Sequence, residues 1–321
     1  MTDVAAPSTH RAALAPVWDR LRGLERLEAP VVVGCSGGPD SITALAVAVA
    51  AGLEPVAVHV DHGLRGDSGR EADTVARVAS DLGASFHSCS AAVAPGPNVE
   101  ERARDARYAA LEAAADLVGA HAILVGHTAD DQAETVLLAV LRGSATAGLA
   151  AMAVRRGRIV RPLLDVRRAE TEVCAAALGT EIVRDPTNDD RTYRRAWVRH
   201  EALPLLNAGA GRDLVPVLAR QAEVLRTETE YLDELARVAW PPESSNPVAS
   251  VLARLPVVLA RRAVRQWLGT PPPGFDEVER VLSVARGDSV GTQLRGGRAV
   301  RRSGGVLLID DDAGADAGAG R

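Results

Sequence analysis

The sequence predicts an α/β protein, a doubly wound and mostly parallel sheet followed by a smaller, mainly helical C-terminal domain. Three observations carry this expectation. Between residues 31 and 178, short β-branched apolar runs alternate with Ala-rich or amphipathic stretches, an order that needs crossover connections and so parallel strands. The first apolar run ends in a glycine turn, Ser36-Gly37-Gly38-Pro39-Asp40-Ser41, that leads into a helix-forming stretch. Beyond about residue 200 the alternation stops and long helical patterns replace it.

Taken in order, an amphipathic stretch over residues 12–27 precedes predicted strands at 31–35, 56–60, 85–88, 122–126 and 159–161. The intervening helices are predicted at 40–51, 70–82, 100–117, 131–141 and 167–178 from their 3.6-residue apolar period. The second domain starts with one long helical pattern over 214–239, stopped by Pro241-Pro242. Helices at 254–268 and 275–285 follow, separated by Pro271-Pro272-Pro273-Gly274, and residues 291–309 read as short strands turning at Gly296-Gly297 and Gly304-Gly305. At 321 residues the chain exceeds the roughly 100–200 residues usual for one domain. The expected division is a catalytic domain over 1–200, a mainly helical domain over 201–310 and an acidic tail over 311–321.

Composition narrows the function classes. No stretch has the length and apolarity of a membrane span, and the first residues lack the basic-then-apolar order of a secretion signal, so a cytoplasmic enzyme is expected. The three cysteines, Cys35, Cys89 and Cys174, form no Cys-x-x-Cys pair, which disfavours chemistry that needs paired thiols. The formal net charge is −5, yet the arginines cluster at 155–168, 191–199 and 295–302; three basic groups in a net-acidic chain point to a phosphate-rich partner. The chain holds no lysine, all 37 of its basic residues being arginine.

The glycine turn has the chemistry of a pyrophosphate cradle. Glycines let backbone approach an anion, and the helix that follows offers unpaired N–H groups and the positive end of its dipole. A Walker A loop is excluded by its missing lysine and spacing, and the dinucleotide Gly-x-Gly-x-x-Gly fingerprint does not fit Gly34, Gly37 and Gly38. In a doubly wound sheet, ligands bind beyond the carboxyl ends of the strands. The second and fourth strands end in His59-Val60-Asp61-His62-Gly63-Leu64-Arg65 and Gly126-His127, so His62 and His127 are expected beside the same crevice. In His127-Thr128-Ala129-Asp130-Asp131-Gln132-Ala133-Glu134-Thr135, the three-residue step from Asp131 to Glu134 sets two carboxylates on one helix face. They suit an ammonium-bearing substrate or a magnesium ion; helix capping is the competing reading.

These segments, with Ala103-Arg104-Asp105-Ala106-Arg107-Tyr108, Arg161-Pro162-Leu163-Leu164 and Asp185-Pro186-Thr187-Asn188, occur in the order and approximate spacing found in tRNA(Ile)-lysidine synthases. Residues 36–41 alone resemble the PP-loop of the wider ATP pyrophosphatase superfamily, which splits ATP between its α and β phosphates. The resemblance covers about residues 30–205. It implies ATP and Mg2+, a tRNA(Ile) with anticodon CAU, and free L-lysine, which is joined to C2 of the wobble cytidine through an adenylated intermediate. It assigns pyrophosphate to Ser36, Gly37, Gly38, Pro39 and Ser41. Asp40 either positions magnesium or accepts a proton from the lysine amine. Asp131 and Glu134 would grip lysine, Arg104 and Arg107 would meet phosphate or tRNA, and Arg195 and Arg199 would serve substrate binding. One departure stands out: the family's Arg-Asn-x-Ile-Arg reads Arg195-Ala196-Trp197-Val198-Arg199 here. A homodimer is compatible with the sequence and not required by it. The rival readings are a tRNA sulfur transferase on the same fold, which predicts a paired or catalytic cysteine, and a nucleotide- or tRNA-binding module without turnover.

Overall fold

A computed structural model describes residues 8–25, 27–61, 68–91, 99–183, 193–242 and 247–310, and for residues 8, 9, 68, 69 and 99–101 it describes the backbone alone. His62, residues 185–188 and the acidic tail lie outside the described residues. Contacts divide the chain into two compact units, Met1–Arg226 and Thr227–Arg321.

In the first unit a short helix, α1 (Ser8–Ala13), precedes β1 (Val31–Gly34) and α2 (Pro39–Ala50). Alternation then continues through β2 (Pro55–Asp61), α3 (Ser68–Leu82), β3 (Ser85–Ser90), α4 (Val99–Val118), β4 (Ile123–Val125) and α5 (Ala129–Leu141). It closes with α6 (Thr146–Leu149), β5 (Arg155–Arg156), β6 (Ile159–Val160) and α7 (Arg168–Ala177). A helical run of α8 (Arg194–Trp197), a π-helical turn (Val198–Ala202) and α9 (Leu203–Ala210) leads to α10 (Val215–Ala239).

The six strands form one sheet in the order β3-β2-β1-β4-β6-β5, parallel except for the β5 edge. Its two faces are read off β1. Val31 and Val33 bury into a core with residues of α2, α3 and α7, whereas Val32 buries with Leu111, Ala114 and Ala115 of α4. That alternation is what a period of two demands of a strand covered on both sides. Strand order reverses between β1 and β4, so the loops leaving these two strands open a crevice at the carboxyl edge.

The amphipathic stretch at 12–27 is not one helix. Pro16 interrupts it, only Trp18–Arg20 forms a further helical turn, and Gly23 takes φ +71°. Its apolar spacing comes from Leu14 and Val17, which are fully buried in the sheet's core. The division expected near residue 200 falls instead between Arg226 and Thr227, inside α10. Leu203 and Val215 bury with Ala129 and Ala133 of α5, which ties residues 201–226 to the first unit.

In the second unit, α11 (Ala249–Arg254), α12 (Val257–Leu268) and α13 (Phe275–Arg286) bury Leu252, Val264 and Leu282 with Val300 and Leu307 of an antiparallel sheet. That sheet is β7 (Gly291–Gln293), β8 (Ala299–Ser303) and β9 (Val306–Asp310). The helix expected at 254–268 is α12, which starts just after Pro256, and α11 ahead of it is an additional short helix. Within the third arginine cluster, Arg298 and Arg302 donate to the carbonyls of Leu268 and Ala285 at the ends of α12 and α13, so these two cations cap helices. Among the described residues no helix is long and apolar enough to cross a membrane.

Candidate active site

The glycine turn is shaped by its own side chains. Ser41 donates its hydroxyl to the Gly38 carbonyl at 2.9 Å and accepts the Ser36 N–H at 3.2 Å, which folds residues 36–41 over the first turn of α2. Gly38 caps α2 in an extended conformation with Pro39 at the first helical position, leaving the helix's amino end open to an anion. The two glycines have different reasons to be glycine. Gly37 has φ +81°, and a Cβ there would lie 2.5 Å from Val183 Cγ2, so the protein itself demands it. At Gly38 a Cβ would meet only Ser36 Oγ, at 3.8 Å, and the space it leaves is available to a ligand. Gly126, at the end of β4, is demanded by packing too: a Cβ there would lie 2.5 Å from the Asp40 carbonyl oxygen. That close approach sets the His127 loop against the first turn of α2.

On α5, Thr128 and Asp131 form a reciprocal cap. One Asp131 oxygen, Oδ2, accepts the Thr128 N–H at 2.8 Å and its hydroxyl at 3.0 Å. The other, Oδ1, accepts Arg168 Nη2 at 2.8 Å and Arg195 Nη2 at 3.0 Å. Capping and charge pairing are therefore both present, one on each oxygen. Glu134, one turn on and 1% exposed, accepts from Arg168 Nη1 at 3.2 Å, Arg195 Nε at 2.8 Å, and Arg199 Nε and Nη2 at 2.7 and 3.2 Å. Arg195 and Arg199, four apart across the start of the π-helical turn, thus point to one face. The family asparagine position is Ala196, buried and without a polar group to offer.

Asp40 lies on the first turn of α2. It accepts the Thr171 hydroxyl and lies 3.5 Å from Arg168 Nε. Burial raises its carboxyl to about 6, against the pull of Thr171 and Arg168. For Asp131 burial acts in the same direction, but Arg195 and Arg168 outweigh it and hold that carboxyl well below the usual range. Asp130 forms a two-pronged pair with Arg167 at 3.1 Å, and Arg167 also pairs with Asp213, just ahead of α10.

Beside the carboxylates the field turns positive. Arg107 is half-buried and has no carboxylate partner among the described residues; with Arg104 it stacks near the Tyr108 ring, at 5.8 and 5.3 Å from its centre. Burial pushes its guanidinium below the ordinary value, and Arg104 and Arg195 add repulsion. Burial likewise lowers His127 far below 6.5, reinforced by Arg107, Arg195 and Arg161, and its Nδ1 has no partner among the described residues. A neutral imidazole with an unpaired buried nitrogen is suited to a ligand hydrogen bond. His59, by contrast, is structural: its Nδ1 lies 3.1 Å from the Cys35 carbonyl oxygen.

The structure thus gathers Ser36, Gly38, Asp40, Ser41, His127, Asp131, Glu134, Arg195 and Arg199 at the carboxyl edge of β1 and β4. The sequence reading missed Arg168 and Thr171. Arg168 had registered only as one member of a basic cluster, because nothing in local spacing tells which side of α7 faces α5. As for magnesium, no group of three or more His, Cys, Asp and Glu side chains is set to hold an ion among the described residues. A single Asp40 carboxylate beside a phosphate cradle fits an ion shared with substrate phosphates, the usual arrangement for Mg2+.

The PP-loop domain family matches residues 17–206. A tRNA(Ile)-lysidine synthase from Thermobifida fusca is 42% identical over 301 residues, covering 88% of this chain and 92% of that protein. One from Deinococcus deserti is 40% identical over 87% of this chain and 52% of its own length. Among solved structures, the U34-tRNA thiolase NcsA from Methanococcus maripaludis shares the fold, with a TM-score of 0.54 over 68% of this chain and 79% of that one at 17% identity.

Proposed function

The chain belongs to the tRNA(Ile)-lysidine synthase family of PP-loop enzymes, and from that premise we propose how its residues carry the reaction. It is an ATP-dependent ligase that forms a carbon–nitrogen bond on tRNA(Ile), making lysidine. In the first step the C2 oxygen of the wobble cytidine in a CAU anticodon bonds to the α phosphorus, the bond from that phosphorus to the bridging oxygen breaks, and pyrophosphate leaves with the electron pair. In the second, the ε-nitrogen of free lysine bonds to C2, the C2–oxygen bond breaks, AMP departs with the oxygen, and the amine gives up its proton. The protein has no lysine of its own, so the amine comes from solution.

The residues divide the work as follows. Ser36, Gly37, Gly38, Pro39 and Ser41 with the α2 amino end hold the pyrophosphate portion, where developing negative charge meets fixed N–H groups. Asp40 would hold Mg2+, which when bound would supply positive charge to the departing pyrophosphate. Asp40 could alternatively take the proton from the lysine amine. His127 donates or accepts one hydrogen bond to nucleotide or base, and His62 is proposed to join it. Arg104 and Arg107 meet the tRNA backbone, Arg107 as a cation with no carboxylate partner among the described residues. Arg195 and Arg199 are aimed by Asp131 and Glu134, the pair proposed to receive lysine's ammonium. The exposed Arg155 and Arg156 of β5, in the first unit, offer further charge to the tRNA, the second unit is proposed to bind tRNA as well, and the cytoplasm is the proposed location.

The observation that carries this reading is the guanidinium cluster held on two buried carboxylates beside a glycine-capped helix amino end. With ATP, Mg2+, radiolabelled lysine and tRNA(Ile), the protein is expected to put label on tRNA and release AMP and pyrophosphate in equal amounts. Release of ADP and orthophosphate would overturn it.

A further inference from the structure

Arg168, which no motif singles out, reaches four carboxylates of the site. Its backbone N–H donates to Asp130 Oδ2 at 2.8 Å, which fixes the start of α7 against α5. Its guanidinium spans Asp131 Oδ1 (2.8 Å), Glu134 Oε1 (3.2 Å) and Asp40 Oδ2 (3.5 Å). A carboxylate offers about four lone-pair sites. On Glu134 all are taken: Oε1 by Arg168 and Arg199, Oε2 by Arg195 and Arg199. On Asp131 they are taken as well, Oδ1 by Arg168 and Arg195, Oδ2 by the two Thr128 donors. Three guanidinia also balance the charges of Asp40, Asp131 and Glu134. An ammonium therefore finds neither an acceptor nor a net attraction at this pair until a guanidinium leaves.

Arg199 is the wrong one to leave, since its nearest approach to Asp131 is 3.8 Å and its departure would free Glu134 alone. Arg168 and Arg195 each free one site on both carboxylates. Of the three, only Arg168 also reaches Asp40, on the helix turn where the phosphates are proposed to lie.

We propose that Arg168 is an exchangeable guanidinium that couples the two small substrates: it turns from Asp131 and Glu134 to nucleotide phosphate, and the acceptor sites it leaves receive the ammonium of lysine. The amine site is thereby completed only with nucleotide bound, which protects the order of the two chemical steps. This rests on the reading above that lysine binds at Asp131 and Glu134. Linkage makes the coupling reciprocal, so lysine must tighten nucleotide by the same factor.

Titration calorimetry of the full chain with L-lysine in Mg2+, with and without a non-hydrolysable ATP analogue and without tRNA, tests it. The analogue is expected to lower the lysine Kd by roughly tenfold or more, within the about 5–150-fold range of allosteric couplings. Arg168→Gln should bind lysine more tightly than the parent protein when the analogue is absent, and should lose most of the analogue's effect. A gain of binding is not what a damaged fold produces. Arg168→Lys keeps a charge but cannot span both carboxylates, and is expected to show the same gain in smaller measure. An unchanged lysine Kd with analogue, no lysine binding in either arm, or variants that bind lysine no better would each overturn the proposal. A protein that incorporates lysine into tRNA yet shows equal affinities in both arms retains the proposed function and loses the coupling; one that incorporates none loses both.

Discussion

Glu134 shows what a buried charge requires of its neighbours. At 1% exposure it accepts from three guanidinia, and Glu134→Gln would leave those cations short of one counter-charge in a water-poor site. Breaking a buried pair from one side costs about 3–5 kcal/mol, so denaturant unfolding should show a loss of that size; a loss under about 1 kcal/mol would mean the arginines re-pair freely with solvent. Asp131 adds a pH dependence. Its folded-state carboxyl lies below the ordinary value of 3.8 because Arg195 and Arg168 outweigh burial. Its stabilisation is therefore complete above that value and is lost as pH falls through it and below. Asp131→Asn should flatten the acid limb of the stability profile, and an unchanged limb would show that other carboxylates set it. The glycine turn separates fold from function at adjacent positions. Gly37→Ala meets Val183 at φ +81° and should lower the melting temperature. Gly38→Ala meets nothing closer than 3.8 Å and should melt near the parent protein while losing affinity for an ATP analogue. If the two variants behave alike, the division of roles is wrong.

Elements of the sheet were legible because the sheet is simple: β1, β2 and β4 each lie within a few residues of an apolar run, which burial on both faces makes continuous, while β3, at the sheet's edge, is a partly exposed strand of mixed polarity. Three features were not. Apolar spacing over 12–27 imitates a helix because Leu14 and Val17 pack on the core from an irregular chain. The two-residue edge strand β5 is too short to leave a pattern. The partners of Asp131 and Glu134 were hidden because Arg168, Arg195 and Arg199 come from elements whose meeting with α5 is a tertiary fact. Gln132 makes the same point from within the motif. Its amide accepts the Met152 N–H at 2.9 Å and donates to the Met152 carbonyl at 2.8 Å, pinning the segment after α6 to α5. Gln132→Leu would strand two buried backbone groups at about 1–3 kcal/mol each. Hydrogen exchange at the Met152 amide should accelerate accordingly, and unchanged protection would assign the pinning to packing alone.

At the level of the whole molecule, the two units have hydrophobic cores with no residue in common, one built on the parallel sheet and one on α11, α12 and α13 with the small antiparallel sheet. Separate cores allow separate transitions, and chains of more than one domain commonly depart from two-state unfolding. The four tryptophans can report this. Trp240 and Trp267 sit edge to face in the second unit with ring centres 5.5 Å apart, while Trp18 and Trp197 belong to the first. In a Trp18→Phe/Trp197→Phe protein, fluorescence therefore follows the second unit alone, whereas far-ultraviolet circular dichroism follows both. The denaturant midpoints of the two signals are expected to differ. An ATP analogue at about a hundred times its Kd should stabilise the unit that binds it by about 2.7 kcal/mol, moving the part of the dichroism curve that comes from the first unit and leaving the fluorescence midpoint in place. If the analogue moves both midpoints together, the units unfold as one body, and binding at the glycine turn stabilises the entire chain.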